Sequence, residues 1–379
     1  MIRRFFKEWF LSAIAWVIIT NLYALAIITN LKILLSVAHL NDATASNEIL
    51  SYATSNYQFL EATVFGLIFG SLFFLINRLI DRLFAPKLPF GKIIVLKTIM
   101  YLVAMAVVFF IMWGILRFLY FYPIDVHKLM QESREAIDPG AYISILIFIL
   151  FTSALVNFLI QVVYKFGPKI VFPMMMGKYH KPRSEDRIFL FLDLKDSTGI
   201  AEELGHMKYS RLLQDCYHDL NKIVFKVNTE IYQYVGDEVV LTWVNKKDYL
   251  NKYAIKTTFE FKRQIEKRRH YYLKNYGLVP EFKGGLNLGK VSVAEIGEIK
   301  RDIAYHGDVI NTASRLQEAA KQYGKNLMVS RKVIDELSEN NGFYIEEMPT
   351  IELKGKKKKV DVFCVEEFSG KEAEKVPVA

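Results

Sequence analysis

Cysteine is nearly absent. The 379 residues include two, Cys216 and Cys364. That excludes a disulfide framework and a cysteine-rich metal module. Neither cysteine has a metal-ligand partner at suitable spacing, so both read as core residues. Internal repeats and long low-complexity tracts are also missing, which excludes a repeat architecture. The first apolar stretch lacks a small-residue cleavage pattern and runs too long for a cleavable signal peptide. Acidic residues are in deficit, 40 against 49 Lys and Arg, leaving a net charge of +9. A basic surplus can indicate nucleic acid. Here much of it flanks apolar segments, so no nucleic-acid partner is expected.

Apolar residues are abundant, at 52%, and their excess lies before residue 166. Four stretches stand out: Phe10–Asn30, Ala62–Ile76 with its flanks, Ile93–Leu116 and Tyr142–Val163. Each can supply the roughly 20 residues that a helix needs to cross a bilayer. Basic residues gather in three places: Arg3, Arg4 and Lys7; Arg78, Arg82, Lys87 and Lys92; and Lys165, Lys169, Lys178, Lys181 and Arg183. The remaining loops are acidic or mixed, with Asp42 and Glu48 in one and Asp125, Glu132, Glu135 and Asp138 in the other. The positive-inside rule then predicts a multi-pass protein of the cell membrane, in contact with lipid, with both termini cytoplasmic. The expected organisation is a transmembrane domain of four helices over 1–166, a connector over 167–184, and a soluble domain over 185–379. Polar residues within the apolar stretches, Asn21, Asn157 and Gln161, are expected to mediate helix contacts.

The connector carries three prolines, which argues against one uninterrupted helix. Beyond it, RIFLFLDL reads as a buried strand. MKYSRLLQDCYHDLNKIVFKV has helical periodicity. EIYQYV and EVVLTW form a hairpin around Gly236-Asp237. One long basic helix is expected over about 248–276. FKGGLNLGKVSVAEIG reads as two strands, DVINTASRLQEAA as a helix, and YIEEMPTIELKG and KVDVFCVEE as closing strands. Helices and several hairpins mix, which predicts an α+β sandwich.

Two acids sit where chemistry could use them. Asp193 ends the strand FLFLDL, and Ser197 and Thr198 follow as helix-start residues. A carboxylate beside free backbone N–H groups is a place for a metal ion and a phosphate together. Asp237 stands at a hairpin tip. If the two strands are neighbours, the carboxylates converge, and hard oxygen ligands suit Mg²⁺ or Mn²⁺ bridging a nucleotide's phosphates. Taken singly, each Asp reads more readily as a turn or capping residue than as a functional one. Asn311 and Arg315 are four apart and share a helix face, where an amide and a guanidinium can orient a ribose and meet charge on phosphate.

These segments, in this order, resemble the class III nucleotidyl cyclases, the adenylate and guanylate cyclase family. The likeness spans roughly 185–367: FLFLDLKDST, YVGDE, GGLNLGKV, HGDVINTASR and ELKGKKKKVDVFCV. It implies a ferredoxin-like α+β catalytic domain. It also implies two Mg²⁺ or Mn²⁺ ions per active site, held by Asp193 and Asp237 with help from the Leu194 carbonyl. Asn311 and Arg315 match the family's transition-state pair, and Lys354 matches a lysine on the polyphosphate. The family's sites form between two head-to-tail domains, so a homodimer is implied. Gln233 and Ala304 occupy the two base-reading positions. Adenylate cyclases commonly place Lys with Asp or Thr there, and guanylate cyclases Glu with Cys. Gln can donate to adenine N1 while accepting from the exocyclic amine, so ATP is the expected substrate, with GTP as the alternative. Two further readings stand: a diguanylate cyclase, opposed by the Asn311/Arg315 helix, and a membrane receptor whose cyclase-like domain only binds nucleotide or a partner.

Overall fold

Long apolar runs dictate the first unit of the chain and amphipathic segments the second. A computed structural model describes residues 2–38, 57–84, 88–120, 147, 150–151, 154–163, 168–224, 226–227, 229–246, 249–299, 301–337, 342–352 and 359–367. The chain divides into two compact units, 1–166 and 167–379.

The first unit holds α1 (Ile2–Ala38), α2 (Tyr57–Leu83), α3 (Phe90–Tyr120) and a shorter apolar helix, α4 (Ala154–Val163). Among the described residues, three helices are long and apolar enough to cross a membrane, over Trp9–Ala26, Gln58–Leu83 and Gly91–Val108. Of the fourth expected span, the described part is α4, and much of 142–153 lies outside the described residues, as do the two acidic loops. α1 and α2 pack through Gly66 and Gly70, four apart on α2. A Cβ on Gly66 would stand 2.7 Å from the Val17 Cα, and one on Gly70 2.8 Å from the Ala13 Cα. Small residues at this spacing let two helix backbones touch. Polar groups then bond across the seam. The Thr20 hydroxyl donates to the Ala62 carbonyl at 2.7 Å, and the Ser12 hydroxyl to the Gly70 carbonyl at 3.0 Å. Asn21 donates to the Thr63 hydroxyl at 3.0 Å. Asn157 joins α4 to α3 by donating to the Ile94 carbonyl at 2.9 Å. Lys97 on α3 is fully buried and pairs with Asp81 on α2 at 2.6 Å. Asn21 and Asn157 therefore bond across helices, as expected, and Gln161 is buried.

The second unit opens on α5 (Pro168–Met175), a short helix with Pro173 inside it, followed by turns to residue 181. It then runs β1 (Arg183–Leu194), α6 (Ser197–Leu204), α7 (His206–Val224), β2 (Glu230–Val235), β3 (Glu238–Val244), a π-turn (Leu250–Ala254), α8 (Ile255–Lys267), α9 (Arg269–Tyr276), β4 (Phe282–Ile296), β5 (Asp302–His306), α10 (Asp308–Gln322), β6 (Leu327–Ser330), α11 (Arg331–Asp335), β7 (Phe343–Glu352) and β8 (Lys359–Glu367). Among the described residues the strands form one sheet, in the order β2-β3-β1-β4-β6-β8-β7, with β5 on β4. The first four strands and the helices between them make the antiparallel β-α-β-β-α-β pattern of a ferredoxin-like core.

β1 is central, so its sequence is apolar on both faces. Ile188, Leu190, Leu192 and Leu194 enter a core shared with α7 and α8. Phe189 and Phe191 enter a second core with Val309 and Ala313 of α10. Two expectations change. The basic segment is not one helix: it breaks at Arg268, whose guanidinium bonds Asp219 at 2.7 Å and lies over the Tyr271 ring. FKGGLNLGKVSVAEI is one strand, because β4 pairs with β1 from Phe282 to Val293, against Leu194–Arg183, and continues on β5 to Ile296. Its glycines serve packing rather than a break.

Candidate active site

The β1–β3 pairing brings the two acids together. Antiparallel register sets Asp193 opposite Glu238, beside the two-residue turn Gly236-Asp237. Gly236 takes φ +60°, which suits the first residue of a tight hairpin turn. On the other side of β1, Asp193 faces Lys283 of β4. Lys283, Asp193 and Glu238 thus form one cross-strand row.

α6 begins at Ser197, three residues beyond the end of β1, as expected from the sequence. The Ser197 hydroxyl bonds the Asp237 carboxylate. Thr198 is exposed on the same turn. Leu194, the proposed carbonyl ligand, is the fully buried last residue of β1.

The electrostatics are those of two acids forced into proximity. Burial pushes the Asp193 carboxyl up to about 6, and the neighbouring Asp237 adds to this against the pull of Lys321. Burial also works against the Asp237 carboxylate, yet the Ser197 hydroxyl and the nearby Lys321 ammonium leave it below the usual range. Glu238 rises to about 7 through burial and both aspartates. The Lys321 ammonium holds Oδ2 of Asp193 at 2.6 Å, while Oδ1 is buried with no hydrogen-bond partner. A buried anionic oxygen without a donor calls for a proton or a cation. The donor set is hard oxygen, so Mg²⁺ or Mn²⁺ fits it. Among the described residues no group of three or more His, Cys, Asp or Glu could hold a metal.

The other candidates lie elsewhere. Asn311 is exposed and Arg315 half-buried on α10, and among the described residues neither makes a hydrogen bond or ion pair. Arg315 and Asn311 precede Lys321 by six and ten residues, a rise of about 9 and 15 Å along the helix. Along α10 the pair thus lies about two and three turns from the lysine that contacts Asp193. Gln233 is exposed on β2, where the pairing is bulged, and Ala304 is buried on β5. Their neighbours Tyr232 and Tyr305 meet edge-on at 4.9 Å, which brings the two strand segments close. Lys354 lies outside the described residues.

Three residues escaped the sequence reading. Lys321 looked like one more cation in a helix's last turn. Lys283 is almost fully buried in the register position beside Asp193, and its ammonium donates to the Gly324 carbonyl at 3.3 Å and Asn326 at 3.4 Å and pairs with Glu281 at 3.6 Å. Tyr217 of α7 donates its hydroxyl to the Gly236 carbonyl at 2.9 Å, and its ring packs on Tyr234 at 4.5 Å. It pins the turn that carries Asp237. Tyr217→Phe is expected to cost about 1 kcal/mol of stability. Turnover should fall about tenfold through misplacement of Asp237, measured as kcat beside the thermal midpoint.

A family model for the adenylate and guanylate cyclase catalytic domain matches residues 180–367. The chain is 30% identical over 243 residues to adenylate cyclase 2 of Rhizobium meliloti (strain 1021), covering 64% of this chain and 66% of that one. It is 25% identical over 182 residues to an adenylate cyclase of Anabaena cylindrica, covering 46% of this chain and 36% of that one. Among solved structures, the adenylyl cyclase CyaB from P. aeruginosa aligns with a TM-score of 0.46 at 20% identity, over 50% of this chain and 98% of the other. The chain therefore spans just under two thirds of the first curated relative and about a third of the second.

Proposed function

We propose, from the match of residues 180–367 to the adenylate and guanylate cyclase catalytic domain model, that the chain is a membrane-anchored adenylate cyclase. It converts ATP to 3′,5′-cyclic AMP and pyrophosphate at a homodimer interface. The observation that carries this reading is the convergence of Asp193 and Asp237, with an uncompensated buried oxygen, beside the start of α6. The apolar helices of the first unit support the anchor.

Each residue has a task that follows from its chemistry. Asp193 and Asp237 would hold Mg²⁺ or Mn²⁺, two ions per site, which would supply Lewis acidity and positive charge to the reacting phosphate. Ser197 fixes the Asp237 carboxylate, and Thr198 borders the phosphate path. Lys354, which lies outside the described residues, is assigned to the polyphosphate by the family resemblance. Asn311 orients the ribose and Arg315 takes charge that grows on the α-phosphate as its bond to pyrophosphate breaks. Gln233 reads the adenine edge by donating to N1 and accepting from the amine, and Ala304 offers that edge no hydrogen bond. A flipped Gln233 amide would serve guanine, which keeps guanylate cyclase as the alternative.

The displacement of Asn311 and Arg315 along α10 supports a shared site: each chain gives its acids to one site and its amide and guanidinium to the other. Chains carrying Asp237→Ala and chains carrying Arg315→Ala should each be inactive as separate dimers. Co-expressed, they should regain about a quarter of wild-type activity, because half the dimers are mixed and each has one intact site. Absence of any recovery in verified mixed dimers would contradict the shared site.

A further inference from the structure

Lys321 has no role in the reaction described above, yet it makes the shortest contact at the acid pair, 2.6 Å to Oδ2 of Asp193. Its position is fixed by the fold. It occupies the last turn of α10, where the helix dipole favours a cation, and α10 is seated on β4 at Gly285. Its side chain is 30% exposed, so the ammonium has solvent to retreat into. The acid corner thus carries its own positive charge on one oxygen of Asp193, while the other oxygen is buried and bare.

We propose that Lys321 competes with the divalent ion for Asp193 and so biases the site toward metal that arrives on a nucleotide. The inference rests on the metal reading of the Asp193–Asp237 pair. A free divalent ion entering the corner meets an ammonium on its principal ligand and is opposed by Coulomb repulsion. A metal bound to a triphosphate has net negative charge and is not repelled. The displaced ammonium then lies near phosphate oxygens and pairs with them. One lysine therefore weakens binding of the bare ion and strengthens binding of the loaded nucleotide. A cation that merely stabilised the corner would leave no such split, since its loss would weaken both.

The test uses the full chain in detergent and a Mn²⁺ titration followed by electron paramagnetic resonance, with and without a non-cyclisable ATP analogue. K321M is expected to bind free Mn²⁺ about tenfold more tightly than wild type, and the Mn²⁺–analogue complex more weakly. K321R, which keeps the charge, should resemble wild type in the first arm. If K321M does not fold, K321Q makes the same test. Free Mn²⁺ binding that is unchanged or weaker in the neutral variant overturns the proposal. Asp237→Ala separates the two ideas: if it leaves Mn²⁺ binding intact, the metal assignment itself falls. If it abolishes binding while K321M equals wild type, only the role of Lys321 falls.

Discussion

Asp237→Ala is expected to lower cyclic nucleotide formation by about three orders of magnitude or more, while the chain stays folded and keeps its oligomeric state. The first half follows from the assignment of Asp237 as one of two carboxylates on the metal. The second follows from the electrostatics of the corner. Asp237 raises the Asp193 carboxyl, and both raise Glu238. Removing one of three crowded acids relieves repulsion, so the thermal midpoint should hold or rise slightly. Turnover measured beside the melting curve and the size of the detergent-solubilised particle separates the two effects. Retained activity would sink the metal assignment, whereas a collapsed melting curve would show that Asp237 serves the fold.

Gly285→Val should act in the opposite manner, through the fold. A Cβ at Gly285 would lie 2.1 Å from the Gln317 backbone nitrogen and 2.3 Å from the Ala313 carbonyl oxygen. Neither can move without the whole of α10. The helix must lift from β4, and it carries Asn311, Arg315 and Lys321. The expected loss is about 3 kcal/mol, in the upper range for overpacking. For a domain of this size that lowers the melting midpoint by about 10 °C. Activity should fall with it. Gly284→Ala is the control. There the nearest atom is the Leu327 Cδ1 at 3.0 Å, the end of a flexible side chain, so the loss should be much smaller. Equal melting midpoints for the two variants would contradict the packing of α10 on β4.

The same glycine shows where the sequence could be read and where it could not. By local pattern FKGGLNLGKVSVAEIG reads as two strands. The true reason for the glycine at 285 is a helix backbone that arrives from later in the chain, and no local pattern reveals that approach. Arg268 is similar. The helical period runs past it without a break, and only its bonds to Asp219 and its stacking on Tyr271 explain why α8 stops there. By contrast Asp193 and Asp237 were legible, because alternation fixes which strand ends face the same edge and a Gly-Asp corner marks a hairpin. Asn311 and Arg315 were legible as a shared helix face. Tyr217 and Lys321 were not, because a tyrosine and a lysine on amphipathic helices read as ordinary surface residues until the tertiary fold sets them against Gly236 and Asp193. The seam between α1 and α2 was half legible: the apolar lengths were plain, but the close approach at Gly66 and Gly70 depends on which helix lies opposite.

The most direct test of the central claim is to incubate the purified full chain with Mn²⁺ or Mg²⁺ and either ATP or GTP, and to identify the products by mass spectrometry. The account predicts 3′,5′-cyclic AMP and pyrophosphate from ATP, lost in Asp237→Ala. Cyclic GMP alone would keep the chemistry and overturn the reading of Gln233 and Ala304. No cyclic product from either nucleotide, with nucleotide still bound, would contradict the account.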